Sequence, residues 1–175
     1  MKINYPELPV LAVAFTHGLG PVGLAISAVT KSPYRHSLLI TNNWGQKFGT
    51  EETFHGLQEN SLEKYTKQSN RIIDMWYWRG WDDKVRAEEA LCFLAEIRRK
   101  AGEQSKYDFK GLLSFVFPKL FKPDPKRQWC SENCLSTHVR FGFKTDYKPD
   151  RASPGILRGI MSTSAECLHF TRYYC

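Results

Sequence analysis

The chain has 175 residues, enough for one ordinary domain with its own core and too few for two of typical size. With 42% hydrophobic, 14% aromatic and 25% charged residues it reads as a folded globular chain, which excludes a disordered or collagen-like one. Twenty-five Lys and Arg against eighteen Asp and Glu leave a net charge of +7, so an acidic partner is expected. Apart from Arg98-Arg99-Lys100 and the segment Lys119 to Arg127 the basic residues are scattered, which ranks an anionic polymer or a lipid headgroup above nucleic acid.

In chain order, Pro9 to Phe15 is apolar and strand-like, Gly18-Leu19-Gly20-Pro21 breaks it, and Val22, Ile26 and Val29 recur at helical spacing. Tyr34 to Thr41 reads as a strand with Tyr34, His36, Leu38 and Ile40 on one face. Asn42-Asn43-Trp44-Gly45 is a hairpin turn, and Lys47 to Phe54 alternates so that Phe48, Thr50, Glu52 and Phe54 point one way. Ser61 to Lys67 is read as a short helix and Arg71 to Trp78 as a strand. Asp82 or Asp83 caps a longer helix, Ala87 to Lys100, with Ala90, Leu91, Leu94 and Ile97 on one stripe and Gly102 as its stop. Tyr107 to Phe121 is apolar, and the prolines in Lys122 to Arg127 require a loop. A helix then runs from Cys130 to about Arg140, a short one from Pro154 to Ile160, and a last strand from Leu168 to Tyr174.

Five cysteines (Cys92, Cys130, Cys134, Cys167 and Cys175) make an odd count without disulfide-scaffold spacing, so free thiols are expected. Glu7 and Pro9 interrupt the first apolar stretch, no small-residue cleavage site follows, and Leu19 to Val29 falls short of the ~18 uninterrupted apolar residues of a membrane span. No signal peptide or transmembrane segment is recognised, and the expected location is cytoplasmic or virion-associated.

Cys130 follows a Pro-rich loop, opens a helix and has Lys126 and Arg127 just upstream, a setting that lowers a thiol's pKa and favours the thiolate. Taken alone, Cys130 and His36 are each more often packing groups than catalytic ones. Glu52 on a core-facing strand position needs a partner to offset its desolvation, and a histidine one strand over supplies one.

The set Thr30-Lys31-Ser32-Pro33-Tyr34-Arg35-His36, then Glu52-Thr53 with Gly56-Leu57 and Leu62, then Tyr107-Asp108, then Trp129-Cys130-Ser131-Glu132, resembles the circularly permuted papain-like hydrolases of the NlpC superfamily, in the branch of YiiX-like and lecithin:retinol acyltransferase-like proteins. The resemblance covers roughly Leu11 to Phe143, with His before Cys in the chain. It implies one α+β domain over residues 1–175, an antiparallel sheet packed against helices. It assigns Cys130 as nucleophile, His36 as general base and Glu52 as the group that orients the imidazole, with Glu51 on the other strand face as the fallback. Tyr107 adds a hydroxyl to substrate binding or simply packs.

The implied function is cleavage of an amide in a peptide, most plausibly of bacterial cell-wall type, without a cofactor. The alternatives are a lipid-directed thiol hydrolase or acyltransferase, and a virion structural protein that keeps the fold without turnover. Cys130, Cys134 and His138 fall at i, i+4 and i+8 on one helix, but two turns separate the outer pair by about 12 Å, too far for one ion; no metal site is expected. Trp76-Tyr77-Trp78-Arg79-Gly80-Trp81 is either a substrate platform or, more often for strand aromatics, core.

Overall fold

The structure is a computed structural model that describes residues 8–17, 21–53, 56–65, 71–104, 119–121 and 128–170. Its centre is a six-stranded sheet whose neighbouring strands are all antiparallel, in the order β4-β3-β2-β1-β5-β6. The strands are β1 (Val13–Thr16), β2 (His36–Asn43), β3 (Gln46–Thr53), β4 (Gly56–Ser61), β5 (Ile72–Trp78) and β6 (Cys167–His169). Among the described residues four α-helices accompany them: α1 (Pro21–Thr30), α2 (Lys84–Gln104), α3 (Cys130–Arg140) and α4 (Pro154–Thr163). The expected α+β class holds at this level.

Both faces of the sheet are buried. Val13, Phe15, Leu39, Trp76 and Trp78 meet Ala90 and Leu94 of α2, Leu135 of α3, and Leu157 and Met161 of α4. On the other face Ala14, Leu38, Ile40, Ile72 and Met75 pack with Leu62 and Tyr65. Period-two alternation along the strands divides their side chains between these two layers. The tryptophan-rich run is core, since Trp76, Trp78 and Trp81 are each at most 8% exposed and Trp78 and Trp81 meet edge to face at 4.9 Å.

Four sequence expectations change. Gly56 to Ser61 forms β4, a strand the sequence reading lacked, because Gly-Leu-Gln-Glu-Asn-Ser carries little β-propensity and lies on a sheet edge where packing demands less. The expected Ser61–Lys67 helix is a single 3-10 turn, Leu62–Tyr65, within the described residues. The helix at α2 starts under an Asp83 cap, whose Oδ1 accepts from Arg86 N–H at 3.2 Å, and passes Gly102 to end at Gln104; the helix formers on either side outweigh one glycine's cost of about 1 kcal/mol. The last strand begins at Cys167, and Phe54, Tyr107, Asp108, most of the Tyr107–Phe121 run and Cys175 lie outside the described residues.

The β2–β3 hairpin has a further consequence. Asn43 pairs with Gln46, so the loop is the two residues Trp44 and Gly45, with φ of 51° and 79°. Two positive φ values in a two-residue loop are the signature of a type I′ turn, whose twist matches the strands. In such a hairpin paired residue numbers sum to an odd number, here 89, as in Leu39 with Thr50. Even-numbered residues of β2 therefore share a face with odd-numbered residues of β3.

Candidate active site

That parity decides which carboxylate meets His36. Continuing the register one step sets Glu51 beside Leu38, on the His36 face, while Thr50 and Glu52 fall on the face of Thr41; the Thr41 and Thr50 hydroxyls bond at 2.8 Å. His36 Nε2 is hydrogen-bonded to Glu51 Oε2. The assignment of Glu52 as orienting residue is thus corrected: parity counted across the hairpin as if the two even-numbered stripes faced together is wrong by one strand face. Glu52 is buried on the opposite side, opposite Leu57 of β4.

Glu51 is itself held from two further directions. Its Oε1 accepts from Asn60 Nδ2 at 2.8 Å and from Lys64 Nζ at 2.5 Å. Asn60 belongs to β4 and Lys64 to the turn that follows, so the strand missed in the sequence supplies the support of the carboxylate. Burial alone would raise the Glu51 pKa, but His36, then Lys64, hold it down at about 2.

Cys130 is the first residue of α3, which packs across β2. Its start is pinned by its neighbours: Trp129 Nε1 and Ser131 Oγ both donate to the Ala152 carbonyl, at 3.0 and 2.5 Å. The aromatic-Cys-Ser run was legible, but its clamp on Ala152, 21 positions after Ser131, was not. Across the helix start the Cys130 thiol is a hydrogen-bond partner of the His36 side chain. With Nε2 taken by Glu51, Nδ1 is the ring nitrogen left for sulfur. Burial pulls the imidazole pKa down, yet Cys130 and then Glu51 raise it to about 10. Burial pushes the Cys130 thiol up, while His36 and the Ser37 backbone and hydroxyl bring it below the ordinary thiol range. The arrangement brings a thiol, an imidazole and a carboxylate together so that His36 favours the charged form of both Cys130 and Glu51. Cys130 is 2% exposed, and the His36 side chain, 20% exposed, is the pair's more open member.

The other candidates separate from this site. Cys134, one turn along α3, is pushed well above the ordinary thiol range by burial and by the charge on Cys130, so it is no competing nucleophile. His138 uses both ring nitrogens: Nδ1 donates to the Cys134 carbonyl at 2.8 Å and Nε2 accepts from Trp81 Nε1 at 3.1 Å. Burial lowers its pKa to about 4, which keeps it neutral. It has no lone pair left for a metal, and among the described residues no three His, Cys, Asp or Glu side chains come together as ligands would. Cys92, Cys130, Cys134 and Cys167 are all free thiols. Tyr107 cannot be placed in the site, since it lies outside the described residues.

No protein-family model and no curated protein matches the chain. Among solved structures it is similar to the crystal structure of metalloprotein YiiX from Escherichia coli O157:H7, with a TM-score of 0.64 and 11% identity over 97% of this chain and 99% of that one. The likeness establishes a YiiX-like fold.

Proposed function

We propose that this chain is a cysteine hydrolase that cleaves an amide bond in a short peptide, of the kind found in bacterial cell walls, on a permuted papain-like scaffold. One observation carries the reading: His36 is hydrogen-bonded to the buried Glu51 carboxylate and is coupled electrostatically to the Cys130 thiol at the start of α3. Packing alone does not call for a buried thiol and a buried carboxylate on either side of a half-buried imidazole; the cost of desolvating these ionisable groups is met here by their mutual pairing. The similar structure is described as a metalloprotein; here His138 is spent on Cys134 and Trp81, and His36 is spent on Glu51, so neither imidazole is offered to an ion.

Each group has a defined task. The Cys130 thiolate attacks the carbonyl carbon, forming a C–S bond and placing the electron pair on oxygen. The first N–H groups of α3 have no carbonyl of their own helix to bond, so those at Cys130 and Ser131 are suited to receive that oxyanion. His36 gives its proton to the leaving nitrogen as the C–N bond breaks, then takes one from the water that cleaves the thioester. Glu51 holds the ring's orientation and stabilises its charged form.

The test incubates wild type and Cys130→Ala with peptidoglycan fragments and, separately, with phospholipid vesicles, and follows products by mass spectrometry. Cleaved peptide from the wild type alone is expected. Fatty-acid release or acyl transfer with intact peptide would move the chain to the lipid-directed thiol enzymes, and no product from either would support a non-enzymatic protein that retains the fold.

A further inference from the structure

A pocket of about 420 Å³ has a wall that includes Lys31, Ser32, Tyr34, Ser153, Ile156 and Arg158. It adjoins the site along the backbone on two sides: Tyr34 is two residues before His36, and Ser153 follows Ala152, whose carbonyl pins both neighbours of Cys130. Two cations and no acidic residue line it.

Arg158 is built in rather than loosely exposed. Its Nε donates to Asp74 Oδ2 at 2.8 Å, and its guanidinium lies 5.7 Å from the Tyr34 ring centroid and 5.5 Å from that of Trp76. Asp74, a buried β5 residue, is fixed in turn by His169 Nε2 at 2.6 Å, and His169 stacks on Trp76 at 4.4 Å. The planar fork is thereby oriented before any ligand arrives, which reduces the ordering cost of binding. Lys31 brings a second charge with no carboxylate partner among the described residues. It stands just after α1 with φ of 50°, a position that helices ordinarily give to glycine. Ser153 Oγ already caps the Ile156 N–H at 3.3 Å, so the two side-chain cations, and not the helix end, provide recognition.

We propose that this pocket binds a carboxylate of the peptide substrate, adjacent to the bond that Cys130 cuts, with Arg158 and Lys31 as its charged contacts. The proposal rests on the hydrolase reading above and adds the class of peptide: one that carries a free acid near the scissile amide. A guanidinium fork and an ammonium suit a carboxylate through charge-assisted hydrogen bonds, and an amidated peptide forfeits them.

Calorimetry on the full chain carrying Cys130→Ala tests it, with N-acetyl-alanyl-glutamate, its bisamide and inorganic phosphate as probes. The acid should bind about tenfold more tightly than the bisamide, the scale of one charge-assisted contact, and Lys31→Gln and Arg158→Gln should each erase most of that preference. Lys31 touches no buried charge, so its variant should keep the parent melting temperature and remain informative even where Arg158→Gln, which strips a partner from Asp74, does not fold. Equal binding of acid and bisamide, or a preference that survives Lys31→Gln, overturns the proposal; phosphate that binds more tightly than the peptide acid replaces it with a phosphate site. Iodoacetamide labelling of Cys130 in the wild type reads the nucleophile separately, so a retained acid preference beside an inert thiol would overturn the hydrolase and leave the pocket.

Discussion

At the scale of single residues, charge is shared along one chain of three groups. Cys130 and His36 each gain from the other's ionisation, and Glu51 stabilises the imidazolium from behind. Replacing Glu51 with Gln keeps the shape but removes the negative charge, so the His36 pKa falls and the Cys130 pKa rises. Glu51→Gln should lower turnover by roughly 10²-fold or more, as expected when the charged form of a catalytic base loses its stabiliser, while Glu52→Gln leaves the pH dependence of thiol labelling unchanged. Comparison of kcat and of labelling against pH for the two variants checks this; loss of both in Glu52→Gln alone would restore the other face. The choice between these neighbours was within reach of the sequence, because Asn43-Trp44-Gly45-Gln46 marks a two-residue loop and its odd-sum register follows from geometry. Cys130 and His36 were singled out through the resemblance, since taken alone each reads as a packing group, whereas Lys64 and Asn60 were not singled out, since nothing local distinguishes them from solvent-facing polar residues.

At the scale of elements, the site depends on a strand and a turn with almost no sequence signature. Gly56 to Ser61 pairs with all of Phe48 to Thr53 and so presents Asn60 to Glu51. Helix α3 was legible in its approximate bounds, because the proline-rich approach and the acidic first turn agree on its start near Cys130. The Tyr65 turn closes over β3 because Gly49 has no side chain: a Cβ there would stand 2.7 Å from Tyr65 Cε2 and 2.8 Å from Leu38 Cδ1. Gly49→Ala should therefore cost roughly 1–3 kcal/mol through overpacking and loosen Lys64 from Glu51. Thermal unfolding together with the Cys130 labelling midpoint checks it; an unchanged melting temperature would show that Tyr65 moves aside freely.

At the scale of the whole molecule, coupling of the buried pair to folding has a definite pH signature. His36, raised from 6.5 to about 10, contributes stability that is complete below pH 6.5 and is lost as pH rises through about 10. Cys130, lowered from 9.0, contributes stability that is complete above pH 9 and is lost as pH falls through its folded value. Wherever the folded pair is thiolate and imidazolium while the unfolded pair is thiol and neutral imidazole, each state holds one proton and these two groups leave stability level. Glu51, lowered from 4.5 to about 2, adds a loss as pH falls from 4.5 through about 2. Melting temperatures of wild type and Cys130→Ala should therefore diverge as the pH is lowered through the folded Cys130 value, where only the wild type has a slope from protonating the thiolate; parallel curves would argue against an ion pair. The α+β layering was legible from the alternation of β1, β2 and β5 and the apolar stripe of α2, but the sheet's order was not, since β6 joins β5 through residues far apart in the chain. Among the described residues no helix is long and apolar enough to cross a membrane.

The central claim, a thiolate held by His36 and Glu51, is tested most directly by limiting iodoacetamide labelling of the wild-type chain across pH with the label mapped by mass spectrometry. An ordinary exposed thiol is almost wholly protonated at about pH 6. Cys130 is predicted to label there ahead of the exposed Cys92 and of Cys134, despite its burial, with a midpoint that moves upward in Glu51→Gln. Labelling that follows Cys92 first, or a Cys130 midpoint near that of a free cysteine, would contradict the account.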